Sequence, residues 1–328
     1  MNLLRIDAPT TRGALPFPAL VDALRQAFTE GAEVPLRHAH AIGGGPDSVD
    51  PSHPAGTLLL MPAWRPGRRG GLKTVAIFPG NSASGLPTLH STYLLFDAAT
   101  GAPLALIDGD EITARRTAAA SALAASFLAP ADATRLVLVG AGRIAALMTA
   151  AMAAVRRIDE VAIWSRRPEA ARALALRLAA GGIDARAATN LEDAVRRADI
   201  VSCATLSTAA LVQGAWLRDG SHLDLIGSFT PQMRECDAAC FARARVFVDT
   251  REALAKSGDV LEAMREGAFA EERLHGTLAD LCTGRAAGRT GAAEVTLFKS
   301  VGTALEDLAA AEMVFEATRA RPPAAPLS

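Results

Sequence analysis

Two short segments near the middle of this chain hold the residues with the clearest chemical use. GAGRIA, residues 140–145, follows the apolar run RLVLV and precedes the helix-like stretch ALMTAAMAAV. It fits G-x-G-x-x-G/A, in which Gly140 makes a tight turn, Gly142 lets the backbone approach a pyrophosphate, and a small third residue lets the helix pack on the strand. Because a second strand-like run ends about 25 residues later, this context predicts dinucleotide binding rather than an empty turn.

The second segment lies at the end of that next run, VAIWS, where Ser165 is followed by Arg166, Arg167 and a helix that Pro168 opens. An acidic residue at this place binds the ribose 2′-hydroxyl of NAD, whereas arginine accommodates the 2′-phosphate of NADP. Positive charge at a helix start opposes the helix dipole, which favours an anion there. A solvated basic surface is the alternative interpretation. We predict NADPH as the cofactor, with NADH as the weaker alternative.

Three further basic residues lie outside the middle of the chain: Arg37 in VPLRHAH, Lys73 in KTVAIF and Arg116 in ITARRTAAA. Lys73 alternates onto the apolar face of its strand, where it needs a partner because an unpaired buried charge is costly. Arg116 is expected in the first turn of a helix over 113–128 that Thr113 caps. Each residue alone fits a surface or structural role. Together with a hydride carrier, they predict a pocket for a small carboxylate.

The elements that must position these residues follow from the apolar runs. Short continuous runs alternate with helical segments in the middle of the chain, which indicates a parallel sheet covered on both faces. These runs are 135–140, 161–165, 199–205, 222–228 and 245–250. The N-terminal part instead predicts strands over 73–78, 92–97 and 103–108, and a last alanine-rich helix is expected from Glu294.

Composition limits the function classes. Half of the 328 residues are hydrophobic, and 34 Lys+Arg balance 35 Asp+Glu, which argues against nucleic-acid binding. No apolar run reaches the roughly 20 residues that span a bilayer, and the start MNLLRIDAPTTRG lacks the layout of a signal peptide. The four cysteines show no paired metal spacing. We expect a cytoplasmic protein with reduced, mostly buried thiols, no metal, and no nucleic-acid or membrane partner.

Several motifs in fixed order then carry a resemblance. They are K-x(7)-N at 73–81, D-x-x-T-G at 97–101, R-T-A-A-x-S at 116–121, VLVGAGRIA, and EVTLFKSVGTALEDLAAA near the C-terminus. Together they resemble the ornithine cyclodeaminase/mu-crystallin family over nearly the whole chain. The resemblance implies an α/β fold in which a Rossmann domain with a doubly wound parallel sheet, residues 131–292, binds NADP. It also implies a discontinuous α+β substrate-binding and dimerisation domain, residues 1–130 and 293–328, and a homodimer.

The resemblance also implies roles for individual residues. Arg37, Lys73 and Arg116 match the residues that hold the substrate carboxylate, and Lys73 also lies near the reacting nitrogen. His90 is a further candidate proton donor, and Thr88 matches a hydroxyl on the cofactor or substrate side. The full set of expected cofactor contacts is Thr88, Arg116, Gly140, Gly142, Arg143, Ile144, Ser165, Arg166, Arg167, Thr205, Gly227, Ser228 and Lys299.

One position departs from the cyclodeaminases. Where they carry a catalytic aspartate two residues after the glycine that matches Gly227, this chain has Phe229. Phenylalanine cannot handle the protons that the release of ammonia requires, but it forms an apolar wall suited to a flat cyclic imine. A cyclodeaminase also recycles its NAD and has no use for NADPH.

Within the family, the segments GSFTPQMRE and LFKSVGTALEDLAAA look most like the bacterial Δ1-pyrroline-2-carboxylate/Δ1-piperideine-2-carboxylate reductases. We predict an NAD(P)H-dependent oxidoreductase acting on CH–NH bonds that converts these cyclic imino acids into L-proline and L-pipecolate. Three alternatives stay open: an ornithine cyclodeaminase, an alanine dehydrogenase-like enzyme, and a non-catalytic NADPH-binding protein like mu-crystallin.

Overall fold

The computed structural model describes residues 3–43 and 55–320. The strands are β1 (Leu4–Ile6), β2 (His38–Ile42), β3 (Gly56–Trp64), β4 (Arg69–Ile77), β5 (Leu89–Asp97), β6 (Pro103–Asp108), β7 (Arg135–Val139), β8 (Glu160–Trp164), β9 (Asp184–Ala187), β10 (Ile200–Cys203), β11 (His222–Leu225), β12 (Arg245–Val248), β13 (Leu274–Thr277) and β14 (Thr296–Lys299). The helices are α1 (Ala8–Ala14), α2 (Phe17–Glu30), α3 (Gly109–Leu128), α4 (Arg143–Ala153), α5 (Pro168–Ala180), α6 (Leu191–Arg197), α7 (Ala238–Arg243), α8 (Ala253–Lys256), α9 (Gly258–Arg265), α10 (Leu278–Cys282) and α11 (Ala304–Arg319).

The chain divides into two compact units. The first contains residues 1–116 and 303–328, and the second contains residues 117–302. The first unit is discontinuous, but its boundaries differ from the predicted 130 and 293. One boundary falls inside the continuous helix α3, and the other follows β14, which pairs with two strands of the second unit.

A six-stranded mixed sheet forms the first unit, in the order β1–β6–β5–β4–β3–β2. Only β1 and β6 run parallel, and the other pairs are antiparallel. Helix α11 packs against β3, β4 and β5 and also contacts α1 and α2. The covered face carries the row Met61, Lys73 and Tyr93, which lie side by side on β3, β4 and β5 and are at most 5% exposed.

The opposite face of this sheet carries leucines that are half-buried or exposed in the described structure. Strand alternation places on it five leucines, namely Leu58, Leu60, Leu72, Leu94 and Leu106. Apolar side chains at every second position of adjacent strands normally face a packing partner.

The second unit is an eight-stranded parallel sheet in the order β13–β12–β14–β11–β10–β7–β8–β9. From β7 the chain moves to β8 and β9 on one side and then to β10 and β11 on the other, so the strand order reverses between β7 and β10. Ligands of doubly wound sheets bind beyond the carboxyl ends of the strands at such a switch point. The predicted Rossmann-type α/β fold is confirmed.

Two helices begin elsewhere than the sequence pattern predicts. Helix α3 starts at Gly109, where the Asp108 carboxylate accepts the Glu111 amide N–H at 2.8 Å. The predicted cap at Thr113 is therefore wrong, because an acidic first turn extends the helix backwards, and Arg116 lies deeper in it. The last helix starts at Ala304 rather than Glu294. Residues 296–299 instead form the fully buried strand β14, since Thr, Leu and Phe suit a sheet interior.

The remaining expectations concern the cysteines, metal binding and membrane-spanning helices. Cys203, Cys236 and Cys240 are buried free thiols, and Cys282 is half-buried. Among residues 3–43 and 55–320, no group of three or more His, Cys, Asp or Glu is placed to hold a metal ion. Over the same residues, every helix is too short or too polar to cross a lipid bilayer.

Candidate active site

The carboxyl ends of the central strands of the second unit lie in register. Val139 pairs with Trp164 on one side and Cys203 on the other. Leu225 in turn pairs with Cys203 and with Lys299. The segments that follow β7, β8, β10 and β11 therefore begin at one edge of the sheet, and they contain most of the predicted cofactor residues.

The turn after β7 fits a pyrophosphate. Gly140 has a φ of 116°, and a Cβ there would lie 2.6 Å from the Ala204 carbonyl oxygen, so only glycine suits this position. Gly142 is the N-cap of the 11-residue helix α4, supplies no capping side chain, and has open space where a Cβ would be. Ala145 is 1% exposed, as close packing of helix on strand requires. Backbone N–H groups at such a helix start bind phosphate oxygens.

The turn after β8 presents two cations at the same edge. Ser165 is half-buried and accepts the Arg167 amide N–H at 3.3 Å, while the side chains of Arg166 and Arg167 are exposed. Neither guanidinium forms an ion pair with any carboxylate in the described part of the chain. Both remain available to an anionic ligand, and no acidic residue stands at the end of β8 to accept a ribose hydroxyl.

A buried glutamate that the sequence analysis missed locks the turns after β10 and β11 together. Glu235 accepts the amide N–H of Thr205 at 2.7 Å, the Thr205 hydroxyl at 2.9 Å and the amide N–H of Gly227 at 2.6 Å. A Cβ on Gly227 would lie 1.8 Å from the Thr205 carbonyl oxygen. Burial raises the pKa of Glu235, although the positive charge of Lys299 opposes this. The Glu235 carboxyl oxygens, which act as acceptors, thus hold Thr205 and Gly227 at the carboxyl-end edge of the sheet.

Two predicted cofactor residues have side chains that are used inside the second unit. Lys299 is completely buried, and its Nζ lies 3.5 Å from Asp259 Oδ2. The Ser228 hydroxyl is also buried and donates to the Met233 carbonyl oxygen at 2.6 Å. The structure therefore does not support cofactor contacts by these two side chains. The positive charge of Lys299 instead lies near Asp259 and favours the ionised form of Glu235.

The other predicted cofactor and substrate residues of this unit remain accessible. Arg143 is exposed, and Ile144 and Thr205 are half-buried. Phe229 follows β11 and is 39% exposed, which is high for a phenylalanine. The position that carries a catalytic aspartate in the cyclodeaminases is therefore a solvent-accessible apolar side chain.

In the first unit, two of the predicted carboxylate-binding residues form one buried ionic cluster. Lys73 Nζ lies 2.7 Å from Asp307 Oδ2, an ion pair that is not aligned as a hydrogen bond. Arg116 donates from Nε to Asp307 Oδ1 at 2.8 Å and from Nη1 to Glu306 Oε2 at 2.7 Å. Glu306 and Asp307 are completely buried, and Lys73 and Arg116 are 1% and 6% exposed. We call these four residues the ionic cluster.

The charged groups of the ionic cluster shift the pKa values of one another. Burial lowers the pKa of Lys73 to about 8, with Asp307 opposing that shift and Arg116 adding to it. Burial by itself lowers the pKa of Arg116, but Asp307 and Glu306 outweigh it and keep that pKa above its ordinary value. Burial raises the pKa of Asp307, yet Lys73 and Arg116 hold it below its ordinary range. Near neutral pH, Arg116 is therefore charged and Asp307 ionised, and Lys73 is close to its titration range.

The cluster keeps donors for a further anion. Arg116 Nη2 makes no hydrogen bond to the described residues, and Lys73 has one carboxylate contact for three N–H donors. Arg37 is half-buried and directly precedes β2. His38, the first residue of β2, pairs with Leu60, so continuing this pairing by one residue would place Arg37 beside Met61, which in turn pairs with Lys73. These three basic residues could together hold a small carboxylate.

The structure does not bring His90 and Thr88 to the ionic cluster. His90 pairs with Ala76 and therefore faces away from Lys73, on the side where Thr74 and Thr92 share a hydrogen bond at 2.7 Å. Thr88 is exposed just before β5, and its carbonyl oxygen accepts the Phe78 amide N–H at 2.8 Å. Strand alternation thus puts the side chain of His90, a candidate proton donor, on the face opposite to Lys73.

The acidic members of the ionic cluster were not predicted. Glu306 and Asp307 occupy the first turn of α11, where acidic residues usually complement the helix dipole at the surface. A usable signal existed, because Asp307 follows Ala304 by three residues and precedes Ala311 by four, which places it on the apolar face of the helix. A carboxylate on that face is the partner that Lys73 needed.

Comparison with known proteins identifies the family. The model of the ornithine cyclodeaminase/mu-crystallin family matches residues 37–321. The chain belongs to this family. The expected resemblance is confirmed, and so is the expectation of an NAD(P)H-dependent oxidoreductase acting on CH–NH bonds.

Relatives within the family include reductases and a dehydrogenase. A Δ1-pyrroline-2-carboxylate reductase of Paracoccus denitrificans is 40% identical over 92% of this chain and 93% of the relative. The solved Thermococcus litoralis Δ1-pyrroline-2-carboxylate reductase, in complex with NADH and L-proline, is 32% identical with a TM-score of 0.88, over 96% of this chain and 97% of that chain. An archaeal alanine dehydrogenase dimer with bound NAD is 29% identical with a TM-score of 0.88, over 96% of each chain.

Proposed function

We propose that this protein reduces cyclic imino acids with NADPH, converting Δ1-pyrroline-2-carboxylate into L-proline and Δ1-piperideine-2-carboxylate into L-pipecolate. The observation that carries the proposal is the ionic cluster of the first unit, in which Lys73 and Arg116 keep donors for a substrate carboxylate. Two similar proteins described as Δ1-pyrroline-2-carboxylate reductases support this substrate class. The proposal assigns residues 1–116 and 303–328 to substrate binding and residues 117–302 to cofactor binding.

The reaction adds a hydride to the imine carbon and a proton to the imine nitrogen. When bound, the reduced nicotinamide supplies the hydride. Arg116 and Arg37 hold the carboxylate of the substrate through charge-assisted hydrogen bonds, which fixes the orientation of the ring. Lys73 donates the proton to the nitrogen, and its pKa of about 8 suits a general acid near neutral pH. Phe229 cannot act as a base, so no group at that position assists the release of ammonia.

The preference for NADPH rests on the turn after β8. Arg166 and Arg167 are exposed and without ion-pair partners among the described residues, and this turn begins at the same edge as the pyrophosphate turn. Two guanidinium groups beside Ser165 suit a 2′-phosphate. The solved relatives named above hold NADH or NAD, so the phosphate preference is proposed for this chain from its own residues.

Steady-state assays with several substrates test the proposed reaction. NADPH oxidation is expected with the five-membered and the six-membered imino acid, and none with pyruvate plus ammonia. Turnover of pyruvate plus ammonia alone would indicate an alanine dehydrogenase. Ammonia release from ornithine without net change in nicotinamide absorbance would indicate a cyclodeaminase. Tight NADPH binding without oxidation across the imine panel would indicate a binding protein.

We also propose a homodimer that forms through the leucine-bearing face of the first sheet. Five leucines at alternating positions remain half-buried or exposed there, and the similar archaeal alanine dehydrogenase is described as a dimer. Light scattering should give the mass of two chains for the native protein. Leu60→Glu combined with Leu94→Glu should give the mass of one, because buried charges oppose association. A monomeric native protein would contradict the proposal.

A further inference from the structure

Asp307 occupies a central place in the ionic cluster. Its Oδ2 lies 2.7 Å from Lys73 Nζ, and its Oδ1 accepts Arg116 Nε at 2.8 Å. One carboxylate therefore joins a residue of β4 to a residue of α3. Glu306, the preceding residue, contacts the same arginine at 2.7 Å through Nη1. The two neighbouring acids differ in that Asp307 is the one in ion-pair distance of Lys73.

The surroundings of Lys73 otherwise disfavour a positive charge. Its side chain is 2% exposed, it lies in the sheet between Met61 and Tyr93, and the Arg116 guanidinium is nearby. Tyr93 is 1% exposed, and burial raises its pKa well above the ordinary value, so that it stays neutral. The charged groups around Lys73 are thus Arg116 from α3 and Glu306 and Asp307 from α11, with Arg37 preceding β2.

We propose that Asp307 is a positioning residue for imine reduction: it keeps Lys73 protonated and fixes both Lys73 and Arg116 for the substrate carboxylate and nitrogen. The inference rests on the proposed function for its catalytic meaning, but the protonation of Lys73 by itself does not depend on it. A buried lysine without an opposite charge releases its proton below neutral pH in many proteins. Such a neutral amine could neither donate a proton nor attract a carboxylate.

Removal of the negative charge at Asp307 should therefore change the pH dependence of kcat/KM and not only its magnitude. In the native enzyme, kcat/KM for the cyclic imine should fall as pH rises through about 8, where Lys73 loses its proton. Asp307→Asn keeps the shape of the side chain and one acceptor but removes the charge. In this variant the fall of kcat/KM at alkaline pH, which we call the alkaline limb, should move to lower pH by about one unit or more. The reason is that an opposite charge within hydrogen-bond distance shifts a pKa by one to three units.

Glu306→Gln is the matched control. It removes one negative charge from the same cluster, one residue away, and weakens a contact of Arg116 rather than of Lys73. KM for the imine should rise, while the alkaline limb should move less than in Asp307→Asn. If Glu306→Gln shifted the limb as much, the specific role of Asp307 would be refuted.

A measurement on the protein without substrate separates this inference from the proposed function. The chain has three lysines, Lys73, Lys256 and Lys299, so NMR of protein with isotope-labelled lysine resolves three titrating side chains, assigned by Lys→Arg variants. Lys73 should titrate near pH 8 and move to lower pH in Asp307→Asn. An unchanged Lys73 titration in that variant would overturn the inference, even if the enzyme reduced imines.

If Asp307→Asn does not fold, two other measurements still test the inference. Lys73→Arg keeps the positive charge and the partner but cannot donate a proton near neutral pH, so its activity should be low, and the residual kcat/KM should not fall as pH rises through about 8. In the native protein, the Lys73 titration should coincide with the limb of kcat/KM. Titration of native Lys73 below about pH 6, as for a buried lysine without a counter-charge, would overturn the inference. Absence of imine turnover with the expected NMR shifts would reject only the proposed function.

Discussion

Lys73→Ala is expected to lower kcat for Δ1-pyrroline-2-carboxylate by about a thousandfold, because a positioned general acid contributes factors of 10² to 10⁴. Both the proton for the imine nitrogen and one donor for the carboxylate are lost. Affinity for NADPH should change by less than about twofold, since the glycine turn and the two arginines proposed to bind it lie in the second unit. Stopped-flow reduction of the imine and fluorescence titration with NADPH measure the two quantities separately.

The ionic cluster indicates that this variant should still fold. Asp307 retains Arg116 as a partner when Lys73 is removed, so the carboxylate is not left without a counter-charge. Lys256→Ala is the matched control, because that half-buried lysine at the end of α8 pairs with Glu252 and should affect neither quantity. Full activity of Lys73→Ala would remove this residue from the mechanism.

Arg166→Ala combined with Arg167→Ala is expected to raise KM for NADPH roughly 100-fold while KM for NADH changes less than about threefold. Hydrogen bonds to charged groups contribute about 1.5–3 kcal/mol each, or about tenfold for each arginine. The discrimination is expected because NADH lacks the 2′-phosphate. Initial rates at saturating imine, with each cofactor varied, give both constants.

A second pair of arginines provides the control for net charge. Arg172 and Arg177 are exposed on α5, the helix that begins at Pro168, and they lie away from its N-terminus. Arg172→Ala with Arg177→Ala removes the same charge and should leave both constants nearly unchanged. Equal increases of KM for NADPH and NADH in Arg166→Ala/Arg167→Ala would refute the phosphate assignment.

Local sequence signals predicted the edge of the parallel sheet at which the proposed cofactor-binding turns begin. The strands, Gly140 with its positive φ, and the cations after β8 all follow from patterns within about 30 residues of one another. A parallel sheet brings such strand ends to one edge whatever the rest of the chain does. For this reason, the Rossmann-type sheet and the position of its turns could be derived before the structure was known.

Long-range partners were less predictable. The sequence indicated that Lys73 needs a counter-charge, but the choice of Asp307 depends on how α11 packs against β4, which no local pattern reveals. Glu235 was missed for the same reason, because its role appears only when the turns after β10 and β11 lie together. Alanine-rich surroundings also concealed β14, whose position in the centre of the sheet overrides helix preference.

The most direct test of the central claim is the stoichiometry of a single reaction. Purified protein, Δ1-pyrroline-2-carboxylate and limiting NADPH are incubated to completion, and NADPH consumed, L-proline formed and ammonia released are measured together. The account predicts one L-proline for each NADPH oxidised and no ammonia. Ammonia release, or proline formation without net NADPH oxidation, would contradict it.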